Sequence, residues 1–130
     1  MKSYQQGNEN PEMDVTITRQ NIARYAGASG DFTRLHVDEE FAQEAGHDSV
    51  FAMGMYTAGI AGTMINKWLG VENVDSFKVR FEDIVYPGDE ISYTAKIDEA
   101  NSEQLTATFT ATNQNEETVL SGLVSATIDQ

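Results

Sequence analysis

The chain has no cysteine in its 130 residues. That excludes a disulfide-stapled scaffold, a thiol nucleophile and a thiolate-bound zinc, and it fits a reducing compartment. Cations are scarce as well: eight Lys and Arg stand against 21 Asp and Glu, a formal net charge of −13. Nucleic-acid binding needs cations to displace counterions from phosphates, so the composition argues against that class. No long apolar run is present. The longest uncharged stretch, between Asp48 and Lys67, is interrupted by Gly54, Gly59, Gly62 and Asn66. It lacks an aromatic belt or basic flank, and it reads as a buried core helix rather than a membrane span. The opening "MKSYQQGNENPEM" lacks the apolar centre of a signal peptide. Residues 1–12 read as a polar tail, and the protein is expected to be soluble and cytoplasmic.

What is present suits one domain, residues 13–130, with a core that needs no disulfide or metal. Hydrophobic residues make up 40% of the chain, an ordinary share for a globular fold. Clear apolar periodicity sets the chain apart from acidic disordered sequences. The acidity suggests adaptation to a salty cytoplasm, where screening relieves self-repulsion and carboxylates keep the surface hydrated.

"MDVTIT" (13–18) alternates Val15 and Ile17 with polar residues and predicts a short strand. Thr18 can cap a helix running to about Gly27, with Ile22, Ala23 and Ala26 inward. Asp38 is placed to cap a second helix whose first turn holds Glu39 and Glu40, and Gly46 to end it. "GMYTAGIAGTMINKWLG" predicts a long helix from Gly54 to Leu69, closed by Gly70. Gly54, Ala58 and Gly62 fall on one smooth face. Each glycine costs such a helix about 1 kcal/mol relative to alanine, so close packing, against a sheet for instance, is expected there.

Four period-two segments follow. They place Phe77, Val79 and Phe81 on one face, then Ile91, Tyr93, Ala95 and Ile97, then Leu105, Ala107, Phe109 and Ala111, then Leu120, Val124, Ala126 and Ile128. A Pro-Gly turn precedes the second, and Gly122 marks a bulge or a close approach in the last. The class is α+β: one antiparallel sheet curled around one long apolar helix.

The chemistry concentrates in "SGDFTRLHVD", residues 29–38. His36 lies five residues after Asp31, so an extended turn could aim both at one cavity. A carboxylate beside an imidazole can hold a water, take its proton and return one elsewhere. From spacing alone a second reading stands beside this one, with Asp31 capping local backbone and His36 filling a core corner. His47, in "AGHDS", reads as an exposed loop residue. No metal-ligand spacing, P-loop or G-x-S-x-G element occurs, and no metal site is expected.

"RYAGASGDFTRLHVDEEFAQEAG", then "FAMGM", the small-residue helix and "FKVRFEDIVYPGDEI" together resemble the MaoC-like family over residues 13–128. That family comprises (R)-specific enoyl-CoA hydratases and dehydratases of the hot-dog fold. Its loop reads S-x-D-x-N-P-L-H-x-D, which Asp31, Leu35, His36 and Asp38 match. The resemblance implies that Asp31 and His36 hold a water against C3 of a trans-2-enoyl thioester. It also implies that the backbone N–H of Gly54 receives the enolate charge, as a free helix N-terminus is suited to do. A preorganised donor of that kind is worth about 3–4 kcal/mol of barrier.

The same resemblance implies an acyl-CoA substrate, no cofactor and a homodimer, with a heterodimer as the alternative. Met53, Met55, Tyr56, Phe81 and Tyr86 are candidates to line the acyl pocket, with plain core packing as the other role open to them. Lys67, Lys78, Arg80 and Lys96 are candidates to meet CoA phosphates or to neutralise an acidic surface. Four departures stand out. Thr33-Arg34 replaces Asn-Pro, which removes a rigid turn and adds a cation near Asp31 and Asp38 that is expected to lower the basicity of Asp31. Met53 replaces a histidine, Gly62 a serine found in some members, and Ile84 a proline. A non-catalytic subunit of a heterodimeric dehydratase and an acyl-CoA thioesterase are the alternative functions.

Overall fold

Alternation of apolar and polar residues builds the sheet. The computed structural model describes residues 10–128, so residues 1–9 of the expected tail lie outside the described residues. Five strands, β1 (Glu12–Thr16), β2 (Val74–Phe81), β3 (Glu90–Ala100), β4 (Gln104–Thr112) and β5 (Thr118–Thr127), form one antiparallel sheet in the order β1-β3-β4-β5-β2. Ile91, Tyr93, Ala95 and Ile97 of β3 are buried, as are Leu105, Ala107, Phe109 and Ala111 of β4 and Leu120, Val124 and Ala126 of β5. The long helix α4 (Gly54–Leu69) lays Ala61, Met64, Ile65 and Leu69 into the same core. This is the hot-dog arrangement, a sheet wrapped around one helix. Tyr93 reaches α4 from the sheet, its hydroxyl donating to the carbonyl of Thr57 at 3.0 Å. Burial pushes that phenol far above its usual titration range.

Caps set the ends of the helices. The Thr18 hydroxyl accepts from the Asn21 amide to start α1 (Arg19–Ser29), which ends at Gly30 with φ 78°. The helix therefore passes through Gly27, two residues beyond the predicted end. Residues 31–38 are not simply extended either, because Arg34–Val37 close one helical turn, α2. Asp38 ends that turn and caps α3 (Glu39–Glu44) by accepting from the Phe41 amide at 3.1 Å.

The glycines divide. A Cβ on Gly122 would lie 2.1 Å from Phe109 Cζ and 2.2 Å from the Lys78 carbonyl oxygen, a close approach rather than a bulge. The β5 register against β2 shifts instead between Val74 and Ser76. Along α4, Gly54 meets the ring of Phe81 and Ala58 is buried, whereas a Cβ on Gly62 would face open space, so the small-residue face is not closely packed along its whole length. Phe81 departs from its expected inward face and is half exposed at the end of β2, because its ring turns toward the start of α4.

Candidate active site

Three segments meet at one cavity of about 360 Å³: the α1–α2 loop and turn, the approach to α4, and the β2–β3 loop. Its wall includes Asp31, His36, Met53, Gly54, Met55 and Phe81. Tyr56 and Tyr86, also expected there, lie elsewhere: Tyr56 packs on Tyr25 at 5.3 Å between ring centroids, and Tyr86 on Phe51 at 6.5 Å. Lys67, Lys78, Arg80 and Lys96 are absent from the wall too. The roomier depression of about 400 Å³, near Glu99 and Gln104, holds no histidine and no acid–base pair.

His36 is held from one side. Its Nδ1 lies 2.7 Å from the Phe51 carbonyl oxygen, which only accepts, so the proton sits on Nδ1. The neutral ring then presents a lone pair on Nε2. Phe51 also packs its ring edge-on against His36 at 5.1 Å, while His47 lies over the same ring at 4.7 Å, half buried rather than exposed. Nε2 points toward Asp31 Oδ2, 3.9 Å away. Both atoms are acceptors, too far apart to bond directly. A water at ordinary hydrogen-bond distance from each would subtend roughly 90° and could donate one hydrogen to each.

Asp31 is the more open partner, its side chain 42% exposed against 13% for His36. The Thr33 hydroxyl donates to Oδ1 at 2.7 Å and the Thr33 amide at 3.3 Å. These bonds, the hydroxyl first, hold the carboxyl below its usual value, and the nearby His36 adds a smaller pull in the same direction. Arg34 meets one of its two expected neighbours, Asp38, and does not act on Asp31. Its guanidinium pairs with Asp38 at 3.0 Å and stacks on Phe41, 4.2 Å from the ring centroid, because the α2 turn aims it at residue i+4.

Across the cavity, α4 begins without a side-chain cap, since Met53 offers no acceptor. The first amides of such a helix lack intrahelical acceptors and carry the positive end of its dipole. Met53 is buried at 2% exposure, an apolar wall beside those amides. Sequence reasoning missed Phe51, Thr57, Asp83, Val85 and Val119, all of which line the cavity. Among the described residues no group of three or more His, Cys, Asp or Glu is placed to hold a metal, and no helix is long and apolar enough to cross a membrane.

A hot-dog sheet and helix with an Asp–His pair at the mouth of the helix define the class. The family model of the MaoC-like domain matches residues 4–119, and the chain belongs to that family. It is 35% identical over 74 residues to the mouse peroxisomal multifunctional enzyme type 2, a match covering 55% of this chain and 10% of that one. The chain thus spans about a tenth of that relative's length. The solved (R)-hydratase from A. caviae involved in PHA biosynthesis superposes with a TM-score of 0.86 at 19% identity, over 97% of this chain and 98% of that one, a likeness of fold. A protein from Archaeoglobus described as a monoamine oxidase regulatory protein superposes at 0.80 with 32% identity, over 97% and 91% of the two chains.

Proposed function

We propose that this chain hydrates a trans-2-enoyl-CoA to the (R)-3-hydroxyacyl-CoA and runs the reverse dehydration, as a hydro-lyase without a cofactor. The observation that carries this reading is the convergence of His36 Nε2 and Asp31 Oδ2, 3.9 Å apart, on a cavity that the start of α4 also lines. Nε2 takes one proton of the held water, and the ionised Asp31 accepts its other hydrogen and fixes its orientation. The water oxygen bonds to C3, the C2–C3 π pair moves toward the thioester, and the Gly54 amide meets the charge on its oxygen. The imidazolium then returns its proton to C2, so no proton is gained or lost overall. The (R) hand is carried over from the solved (R)-hydratase of the same fold.

The proposed assembly is a homodimer. Met55 and Phe81 stand 61% and 51% exposed at the cavity, and among the described residues β2 is an edge strand of the sheet, so a second copy would cover surfaces one copy leaves open. A cysteine-free, strongly acidic chain suits a reducing, salt-rich cytoplasm.

Loss of the enoyl-thioester ultraviolet absorbance of crotonyl-CoA, followed with the purified protein alone, tests the activity. Asp31→Ala and His36→Ala are each expected to lose about 10²–10⁴-fold in rate. Full activity in either variant would remove that residue from the chemistry. Hydration seen only after a second hot-dog chain is added would favour the subunit reading, and release of free CoA the thioesterase.

A further inference from the structure

Thr33 touches both members of the pair, and it does so at the expense of its usual task. It occupies the N-cap position of α2, where a threonine hydroxyl ordinarily accepts from a helix amide. Here it makes no such bond. The hydroxyl donates to Asp31 Oδ1 at 2.7 Å, the Thr33 amide donates to the same oxygen at 3.3 Å, and the Thr33 carbonyl accepts from the His36 amide at 3.0 Å.

The division of the carboxylate follows. Oδ1 is occupied twice by Thr33, which leaves Oδ2 as the oxygen facing His36 Nε2. A carboxylate with free rotation would exchange its two oxygens and let the angle of the bound water wander. One with Oδ1 pinned presents a single lone-pair direction. The third bond sets the other half of the geometry, because the His36 backbone hangs from the same residue that fixes Asp31.

We propose that Thr33 is a positioning residue: its hydroxyl pins Asp31 so that Oδ2 and His36 Nε2 address one water, while its carbonyl sets the height of the histidine. Thr33 need not meet the substrate. The assignment rests on the hydratase reading for its kinetic consequence and on the loop geometry alone for its spectroscopic one.

The test compares Thr33→Val, which keeps the shape and the backbone bonds but removes the donor, with Thr33→Ser, which restores it. Thr33 is exposed, so neither change disturbs the core. With crotonyl-CoA, the valine variant is expected to lose about 10-fold or more in kcat with KM unchanged, and the serine variant to return most of it. Independently of any substrate, carbon-detected NMR of the Asp31 carboxyl should show its titration midpoint rising in the valine variant and falling back in the serine variant. The midpoint reports whether the hydroxyl bond acts on Asp31, and the loss of kcat at unchanged KM reports whether the reaction uses it.

Wild-type kcat with an unmoved midpoint in Thr33→Val would overturn the proposal. Equal loss of kcat in the valine and serine variants would overturn it too. A wild-type protein inactive toward crotonyl-CoA would defeat the hydratase reading, while the NMR comparison would still decide whether Thr33 sets the state of Asp31.

Discussion

The ring of Phe81 lies against the backbone of Gly54 so closely that a Cβ there would sit 2.7 Å from Cε1 and 2.9 Å from Cδ1. The contact joins the end of β2 to the first residue of α4, on the wall of the cavity. Gly54→Ala is therefore expected to push the Phe81 ring aside without unfolding the chain, since the obstruction is the far end of a side chain. Enoyl-thioester hydration should fall about 10-fold or more as the site is displaced. Adding Phe81→Leu should recover part of that loss, and Phe81→Leu alone should be mild. Steady-state kinetics of the two single variants and the double variant check this as a cycle.

Gly122 offers a sharper contrast. The atoms that would obstruct a Cβ include the Lys78 carbonyl oxygen at 2.2 Å, part of the β2 backbone, besides the Phe109 ring that stacks on Phe77 at 4.9 Å. Backbone cannot rotate away. Gly122→Ala should destabilise the fold by about 3 kcal/mol, at the upper end of overpacking effects, where Gly62→Ala, facing open space, should be neutral or stabilising. Urea denaturation of both variants measures the difference.

Asp38 links stability to pH. Its carboxylate accepts from the Phe41 amide and pairs with Arg34, and these bonds, the first the larger, hold it below its ordinary value of 3.8. A depressed folded-state pKa gives stability that is present above the unfolded value and lost as pH falls through the folded one. Asp38→Asn keeps the cap but not the charge. The variant should melt below the wild type at neutral pH, and the gap should close as pH drops below about 3.8. Melting curves from pH 7 to pH 2 follow it.

Salt should act on binding as well as on folding. The cavity wall carries Asp31 and Asp83, Arg80 is paired with Glu82 at 3.4 Å, and the whole chain carries −13. Screening should raise the melting temperature as KCl increases. On the proposed function it should also lower KM for crotonyl-CoA, whose phosphates would have to approach that acidic surface, while KM for the pantetheine thioester stays level. A KM for the CoA thioester that rises with salt would instead mark a cationic docking site for the phosphates.

The sheet is legible in the sequence because burial on one face leaves a period of two, as in Ile91, Tyr93, Ala95 and Ile97. Thr18, Asp38 and Gly70 announce helix ends because capping is local chemistry. The pairing of Asp31 with His36 in one cavity can be anticipated from a ten-residue stretch for the same reason. The Phe51 carbonyl cannot, since every residue has one and only the fold decides which faces the imidazole. Arg34 reaches Asp38 and not Asp31 because of the α2 turn, which swings its long side chain and leaves little trace in four residues. Val119 and Asp83 reach the cavity through the meeting of β5 with the β2–β3 loop, where the amides of Glu82 and Asp83 donate to the Val119 carbonyl, a pairing across distant positions.

The bond from His36 to the Phe51 carbonyl has a consequence for how this architecture tolerates change. Phe51 fastens the imidazole, and Gly54, three positions later, opens the rod. The Phe51 amide donates to the Leu35 carbonyl and the Ala52 amide to the Val85 carbonyl, so the first two residues of this four-residue bridge are each tied to a neighbouring segment. On the proposed mechanism, the spacing between the His36 imidazole and the Gly54 amide is therefore set largely by this short bridge and its ties to Leu35 and Val85. Changes elsewhere in the sheet that spare Leu35, Phe51, Phe81 and Val85 would then leave that spacing as it stands.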